Sequence, residues 1–361
     1  MKILIGMMHP KQVHMFKYFI REMENRGHQL LSVVIEKDIM NTLLDNLGIN
    51  YVSLGKNPPT IIQKVLSTSL WTYKTAKIAT QLKPDMYIGR AFPHFALSKQ
   101  ITHGDYIILE DSEPARMLHL ATFPFADVIL TPSTYRLNHG GKHIRVDSYN
   151  ELMYLHPNYF EPDWKIVKNV GVSKGEEYVI LRFVAWTAHH DIGREGFTLK
   201  EKIQLAKKLN EYSTVFITSE SPLPKELEKY RLPIPPQHIH HFLYYANLLV
   251  CDSQTMTTEA GVLGTPAIRS NSFVGLRDMG NFIELEKRYG LIYNIREPEK
   301  AIKKAIELIK QPNLKKIWER KRKRLLNDKI DLTSFMVWFV ENYPDSFREF
   351  KENPEIQYRF R

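Results

Sequence analysis

Cysteine is nearly absent from this chain, in which Cys251 is the only one. A single thiol excludes an internal disulfide and a cysteine-based metal cluster. Long apolar runs are also lacking. None approaches the roughly 20 residues that span a bilayer, and the opening residues MKILIGMMHP lack the apolar core of a signal peptide. These absences favour a protein of the reducing cytoplasm.

The composition is that of a folded protein with more than one domain. Its 361 residues exceed a typical single core of roughly 100 to 200 residues. The hydrophobic fraction of 43% and the charged fraction of 25% are ordinary for a globular protein. The formal net charge of +10 either favours acidic partners, such as phosphates, nucleic acid or anionic lipid, or reflects a solvated surface rich in lysine.

Short apolar runs alternate with stretches of helical spacing, and this pattern predicts parallel sheets with helices on both faces. Ligands of such sheets bind at the carboxyl ends of the strands. The alternation breaks in the Pro-, Gly- and charge-rich stretch 154–177. We therefore predict two Rossmann-like α/β domains, 1–160 and 175–330, facing each other across a cleft, and a helical tail, 331–361, that packs back on the first domain. The predicted strands are Ile3–Gly6, Leu30–Ile35, Tyr51–Leu54, Met86–Gly89, Tyr106–Leu109 and Val128–Thr131, then Tyr178–Val184, Thr214–Thr218, Leu248–Cys251, Ala267–Ser270 and Leu291–Tyr293.

The segment 248–269, LLVCDSQTMTTEAGVLGTPAIR, carries the strongest local signal. An apolar strand ends at Asp252, and a helix follows whose first N–H groups and positive dipole end suit an anion. Ser253 and Thr255 add hydroxyl donors for diphosphate oxygens. Glu259 comes one helical turn later, where a carboxylate can accept hydrogen bonds from two ribose hydroxyls. An ordinary strand–helix unit capped by Ser253 has the same spacing, so both interpretations stay open.

This segment resembles the nucleotide-binding motif of GT-B-fold enzymes, in particular the non-hydrolysing sugar-nucleotide 2-epimerases. Their motif reads Asp-Ser-Gly-Gly, then a helix with a pair of glutamates, then Leu-Gly-x-Pro. Glu259 falls on the second glutamate, the ribose ligand, whereas Gln254 and Thr255 stand in place of the two glycines. The other matching residues are Asp252, Ser253, Leu263, Gly264 and Pro266.

The resemblance implies a bound nucleotide-sugar, with a UDP-sugar as the expected donor, and no other cofactor. It places backbone contacts to the base in the loop Gln237–His240, which precedes an aromatic-rich helix; a polar loop without a ligand is the alternative. The residues expected to contact the nucleotide-sugar are Ile239, Ser253, Gln254, Thr255, Met256 and Glu259.

Over nearly its whole length the chain is similar to an uncharacterised archaeal and bacterial family of GT-B type, known only as a domain of unknown function. That resemblance implies the fold and supplies no reaction. The motifs that carry it are VHMFK (13–17), PFADVILTPS (124–133), YLHP (154–157), LRFVAW (181–186), HHDIG (189–193), TSE (218–220) and TMTTEAGVLGTPAI (255–268).

Two places in the first domain carry candidate catalytic groups. His14 follows the first strand, where a neutral imidazole could act as a general base, and Lys11 nearby could contact phosphate. Glu110, Asp111 and Glu113 crowd the end of another strand, and repulsion between such carboxylates is expected to raise the pKa of one of them. The epimerases have a catalytic glutamate in a similarly placed segment, which favours Glu110 or Asp111. The alternatives are a structural helix start and a solvated acidic loop.

The run VAWTAHHDIGREG supplies candidates in the second domain. Thr187 and His189 resemble the Thr-x-His of the epimerases, while the similarity to the uncharacterised family favours His190 and Asp191. An adjacent carboxylate can orient an imidazole and stabilise its charged form. We expect no metal here, because no partner pair at helical spacing accompanies these residues.

One departure from the epimerases distinguishes the candidate reactions. Arg90, in MYIGRAFP, stands near the place of their essential aspartate, so proton abstraction at the sugar ring would lose a group. We therefore expect a metal-independent GT-B glycosyltransferase that uses a nucleotide-sugar in glycan or cell-surface polysaccharide synthesis. A sugar-nucleotide epimerase or hydrolase and a non-catalytic nucleotide-sugar-binding protein are the alternatives.

Two basic stretches are candidate binding sites for acidic partners. Residues 61–83 combine lysines with aromatic and aliphatic residues, as suits a peripheral membrane contact that reaches a lipid-linked acceptor, or an ordinary helix packed on a sheet. KKIWERKRKR, 315–324, suits phosphate, lipid headgroups or RNA, or a solvated helix face. No nucleic-acid-binding signature accompanies them, so a nucleic-acid role is not favoured. A homodimer is compatible with the sequence.

Overall fold

The computed structural model of this chain describes residues 1–37, 39–184, 196–275 and 278–361, without the side chain of Ile61. The chain divides into two compact units, the first formed by residues 1–159 and 329–361 and the second by residues 160–328. Each described unit contains a parallel β-sheet with helical connections. The predicted fold class, two Rossmann-like α/β domains, is confirmed.

The described residues of the first unit form a seven-stranded parallel sheet with the strand order β3-β2-β1-β4-β5-β6-β7. The strands are near-continuous apolar runs because both faces of a parallel sheet are covered. The strands are β1 Lys2–Met7, β2 Gln29–Glu36, β3 Tyr51–Lys56, β4 Met86–Gly89, β5 Asp105–Leu109, β6 Val128–Pro132 and β7 His143–Val146. The helices are α1 Pro10–Asn25, α2 Met40–Leu47, α3 Ile61–Leu82, α4 Pro93–Thr102, α5 Arg116–Thr122 and α6 Leu152–Leu155.

The second unit has a five-stranded parallel sheet in its described residues, with the order β12-β11-β10-β8-β9. Its strands are β8 Tyr178–Phe183, β9 Thr214–Ser219, β10 Leu248–Cys251, β11 Ala267–Arg269 and β12 Ile292–Asn294. Its helices are α7 Trp164–Lys168, α8 Leu199–Asn210, α9 Lys225–Glu228, α10 Ile239–Tyr245, α11 Gln254–Leu263, α12 Gly280–Lys287, α13 Pro298–Ile309 and α14 Leu314–Asp328.

The end of the chain returns to the first unit as α15 Leu332–Glu341 and α16 Asp345–Glu352. Two buried hydroxyl groups join it to the rest of that unit: Ser148 Oγ donates to Ile330 O, and Thr333 Oγ1 donates to Met153 O, both at 2.8 Å. None of the described helices has both the length and the apolar character needed to cross a membrane.

The sequence of strands in the first sheet reverses between β1 and β4, which lie side by side. Parallel sheets open a ligand-binding crevice at the carboxyl ends of the strands at such a point. The residues that follow β1, β4 and β5 therefore lie where a ligand site is expected, and α1 begins there. α1 starts at Pro10, and the His9 side chain accepts from Lys11 N–H as its cap.

Gly6 allows the end of β1 to approach the segment after β4. A Cβ at Gly6 would lie 2.7 to 2.8 Å from ring atoms of Phe92 and Phe95, both of which are buried. Gly6→Ala is therefore expected to lower the free energy of unfolding by about 1–3 kcal/mol, because the rings must move. Urea denaturation measures this, with Gly141→Ala as control, since a Cβ at Gly141 meets nothing within 4 Å. Equal losses from both variants would contradict the packing explanation.

Candidate functional site

The turn between β10 and α11 is the candidate nucleotide site of the second unit. β10 ends at Cys251, and Ser253 is the N-cap of the helix that begins at Gln254. Ser253 Oγ accepts from Met256 N–H at 3.3 Å. The N–H groups of Gln254 and Thr255 belong to the first turn, which leaves them without intrahelical acceptors, and both residues are only partly buried. This geometry suits an anion at the helix start.

Ser253 fits both interpretations that the sequence left open. Its oxygen caps the helix, while its O–H is a donor available to a neighbouring acceptor. The Met256 N–H is already engaged by that cap, so a contact from Met256 to a ligand would involve its side chain.

Glu259 is held by a histidine of the preceding helix. It lies on the same face of α11 as Thr255, one turn further on, and only 5% of its surface is exposed. Glu259 Oε1 lies 3.0 Å from Nε2 of His240, which is buried in α10. A carboxylate only accepts hydrogen bonds, so the imidazole N–H donates. The pair fixes the orientation of the carboxylate.

The segment expected to contact the base as a loop is helical. Residues 236–238 form a 3-10 turn that starts at Pro236, and α10 begins at Ile239. The fixed φ of proline suits a helix start. The loop assignment of Ile239 and His240 is therefore wrong, while contact with a base stays a prediction.

Asp252, which matches the first position of the motif, anchors the turn. Its Oδ1 accepts from Val184 N–H, and its backbone oxygen accepts from Asn271 Nδ2, both at 2.9 Å. A Cβ on Gly196 would overlap its carboxylate. Asp252 thus ties the end of β8 and the segment after β11 to the start of α11.

Arg269 is a buried group beside this turn that the sequence analysis missed. It pairs with Cys251 across β10 and β11. Its Nη2 donates to Asp278, its Nε donates to Asn294 Oδ1 at 2.9 Å, and its guanidinium lies 3.6 Å from the centre of the Phe282 ring. The only sequence signal was an arginine at the end of an apolar run. Burial raises the pKa of the neighbouring Cys251 thiol to about 12, which disfavours the thiolate, the nucleophilic form of cysteine.

The first unit places a buried cluster of charges at the carboxyl ends of its central strands. We call it the ion cluster. Two cations and three carboxylates form it, and none of their side chains exceeds 14% exposure. Its members are Lys11 in the first turn of α1, Arg90 after β4, Glu110 and Asp111 after β5, and Glu151 after β7.

Asp111 is the centre of the ion cluster. Lys11 Nζ donates to Asp111 Oδ2 at 2.8 Å, and Arg90 Nη1 donates to Oδ1 at 2.6 Å. Lys11 also donates to Glu151 Oε1 at 2.7 Å, and Arg90 also donates to Glu110 Oε1. Each cation therefore bridges two carboxylates. The expected phosphate contact of Lys11 competes with these two ion pairs.

The ion cluster reverses the expected pKa shifts. Burial alone would raise the pKa of Asp111, but Arg90 and Lys11 hold it well below its ordinary value. At Glu110, burial would likewise raise the pKa, but Arg90 lowers it, and the pKa of Glu110 is lowered overall. The expectation of a raised pKa is thus wrong for both residues. Glu151, which the sequence analysis missed, is the carboxyl whose pKa is raised, chiefly by burial.

His14 lies in the second turn of α1. It is 5% exposed, and its ring stacks on Tyr154 with 5.7 Å between the ring centres. It follows Lys11 by one helical turn, so the two share a helix face. Its role as a general base stays a prediction.

The candidates Thr187, His189, His190 and Asp191 lie outside the described residues. Their catalytic roles stay predictions. Within the described ranges, no group of three or more His, Cys, Asp or Glu side chains is arranged to hold a metal ion.

The chain is similar to one protein family and to several solved structures. The model of a family described as "Protein of unknown function (DUF354)" matches residues 1–343. A comparison with curated proteins finds no significant match. Among solved structures, S. aureus MnaA in complex with UDP is similar to this chain with a TM-score of 0.68 and 13% identity, over 96% of this chain and 97% of that one.

Two further similar structures are an epimerase and a glycosyltransferase. UDP-GlcNAc 2-epimerase from Neisseria meningitidis, bound to UDP-GlcNAc, gives a TM-score of 0.66 at 13% identity, over 88% of this chain and 94% of its own. A spinosyn rhamnosyltransferase complexed with spinosyn aglycone gives a TM-score of 0.59 at 12% identity, over 95% of this chain and 100% of its own. At this identity the likeness establishes the GT-B fold shared by glycosyltransferases and UDP-GlcNAc 2-epimerases, and the fold alone does not fix the reaction.

Proposed function

Since the chain belongs to the family described as "Protein of unknown function (DUF354)", we propose its function from its own residues: it is a glycosyltransferase that binds a nucleotide-sugar, with a UDP-sugar as the donor to test first. It transfers the sugar to a glycan or lipid-linked acceptor. The observation that carries this proposal is the start of α11 directly after β10, where two partly buried residues of the first turn, Gln254 and Thr255, precede the buried Glu259.

The proposed chemistry follows from this geometry. The diphosphate of the donor accepts hydrogen bonds from the N–H groups of Gln254 and Thr255 and from the Ser253 hydroxyl. The helix dipole stabilises the negative charge that grows on the diphosphate as the sugar leaves, so no metal is needed. Glu259 accepts from the ribose hydroxyls.

Two carboxylates of the ion cluster, Glu110 and Asp111, are poorly suited to the proton abstraction that epimerisation needs. An epimerase must remove a proton from the sugar ring, and an effective base has a pKa near the working pH. Arg90 holds the pKa of Glu110 and Asp111 well below that range. These two carboxylates are therefore weak bases, suited to positioning neighbouring cations.

Gln254→Glu is expected to weaken binding of UDP about tenfold or more, measured by calorimetry, because a carboxylate in the first turn repels a diphosphate. The same charge favours the helix, so the thermal midpoint should not fall. Gln63→Glu, the same change in the first turn of α3, is the matched control and should leave UDP affinity unchanged. Unaltered UDP affinity of the Gln254→Glu variant would show that the diphosphate does not bind at this turn.

Turnover separates the candidate reactions. Incubation of the protein with UDP-GlcNAc alone, followed by NMR, should show no conversion without an acceptor. Conversion under these conditions would establish the epimerase or hydrolase alternative, which the likeness to the Neisseria enzyme favours. Nucleotide affinity without turnover over a broad acceptor panel would indicate a binding protein.

A further inference from the structure

The exposed apolar residues of this chain are concentrated on three neighbouring helices of the first unit. Sixteen large hydrophobic side chains are exposed in the described part of the chain, and ten of them lie on α3, α4 and α5. We call this surface the α3–α5 face. Its apolar members are Ile62, Val65, Leu66, Leu70, Tyr73, Leu97, Ile101, Met117, Leu118 and Leu120.

The outer side of α3 has the spacing of an amphipathic helix turned towards the solvent. Its exposed residues begin at Ile62 and recur every three or four positions to Tyr73, and each is more than half exposed. This spacing places them in one stripe along the helix, about 16 Å long. Soluble surfaces carry single exposed apolar residues without consequence, whereas a continuous stripe indicates an interaction site.

These outer residues are not needed for the core, because the same helices have a separate buried side. Trp71 of α3, Phe95 of α4 and Phe123, just after α5, belong to one buried cluster with the sheet residues Leu4 and Tyr106. The three helices therefore cover one face of the sheet with their inner sides. Their outer sides are left for another partner.

The charge of the α3–α5 face has a single sign. Within 61–82, 93–102 and 116–122 the sequence contains no aspartate and no glutamate. Lys77, Lys83 and Arg116 are exposed on or at the ends of these helices. Lysine stems can lie along an apolar layer while the ammonium groups reach anionic headgroups.

We propose that the α3–α5 face docks on the surface of a membrane that contains anionic lipid. Apolar side chains enter the headgroup boundary, and the basic residues bind lipid phosphates. Charge complementarity distinguishes this occupant from a second copy of the chain, because a two-fold interface would bring the same basic surface against itself. The proposal is independent of the nucleotide-sugar site, which lies in the other unit.

Co-sedimentation with lipid vesicles tests this proposal on the full chain. We expect binding to vesicles of phosphatidylcholine with phosphatidylglycerol, and much weaker binding to phosphatidylcholine alone. The double variant Leu66→Ser with Leu70→Ser should lower the partition coefficient at least about tenfold. Lys77→Glu should lower it severalfold and reduce its salt dependence.

The matched control is Leu199→Ser in α8 of the second unit, where Leu199 is 54% exposed against 52% for Leu70. It should bind vesicles like the unchanged chain. Equal losses from Leu199→Ser, or no binding of the unchanged chain to anionic vesicles, would overturn the proposal. A dimer in sedimentation velocity that the double variant abolishes, together with absent vesicle binding, would assign the face to a second copy.

Discussion

Arg90→Met is expected to lower the free energy of unfolding by about 3–5 kcal/mol at pH 7, the cost of removing one partner from a buried ion pair. Arg90 bridges Glu110 and Asp111, so its loss leaves the three buried carboxylates of the ion cluster with Lys11 as the remaining cation. Desolvated carboxylates without a compensating charge destabilise the folded state. Urea and thermal denaturation measure the effect.

The pH dependence identifies the cause of this loss. With Arg90 present, the pKa values of Glu110 and Asp111 are lowered on folding. Their contribution to stability is therefore present above the unfolded values, near pH 4, and is lost as the pH falls through the folded values. In Arg90→Met both carboxylates can protonate at higher pH, so the difference from the unchanged chain should shrink between about pH 7 and pH 4.

Arg348→Met is the matched control, because Arg348 of α16 forms an exposed ion pair with Asp345 in the same unit. This substitution should lower the free energy of unfolding by less than about 1 kcal/mol. Arg90→Lys should recover part of the loss, since an ammonium keeps the charge without the two-pronged geometry. A loss that is independent of pH would show that Arg90 acts by packing and not by charge.

The local features of the candidate nucleotide site could be predicted from the sequence. β10 has the predicted bounds, and α11 follows it with Ser253 as its N-cap. These signals are local: an apolar run, a serine that caps the helix, and Gly264, which ends it with a φ of +74°. Short-range preferences decide all three, so tertiary contacts did not alter the outcome.

The ion cluster could not be predicted, because its members are far apart in the chain. Lys11 and Asp111 are 100 residues apart, and only the fold of the sheet brings them together. Glu151 and Asn150, whose Nδ2 donates to Asp111 Oδ2 at 2.9 Å, follow β7. That four-residue strand lacks a long apolar run and was not predicted. Without these partners the sequence pointed to carboxylate repulsion, which the two cations outweigh.

His240 and Glu259 form a second contact that the sequence could not predict. The resemblance to the 2-epimerases predicts both near the nucleotide, one on the base side and one at the ribose, and these roles stay predictions. Their hydrogen bond across 19 residues is a tertiary contact between α10 and α11, and no periodicity reports such a contact. The pairing changes what each residue is expected to do, because the histidine now acts through the carboxylate.

Glu259→Gln is expected to lower affinity for UDP about 10- to 100-fold, the effect of losing hydrogen bonds between a charged acceptor and two hydroxyls. The change keeps the shape of the side chain and an acceptor for His240. Affinity for 2′-deoxyUDP and 3′-deoxyUDP should already be lower in the unchanged chain and should fall little further in the variant. Calorimetry with the three nucleotides forms a cycle in which the ribose contact is isolated.

His240→Ala is expected to loosen the orientation of the Glu259 carboxylate, because the variant loses the N–H donor that holds it. We expect the preference for UDP over its deoxy analogues to shrink, while His241→Ala, on the same helix, leaves it unchanged. His241 accepts from Asp163 N–H at 3.0 Å and so loses a comparable hydrogen bond away from Glu259. If UDP binds but its deoxy analogues bind equally well, Glu259 is not the ribose ligand, and the nucleotide must lie in another orientation at the start of α11.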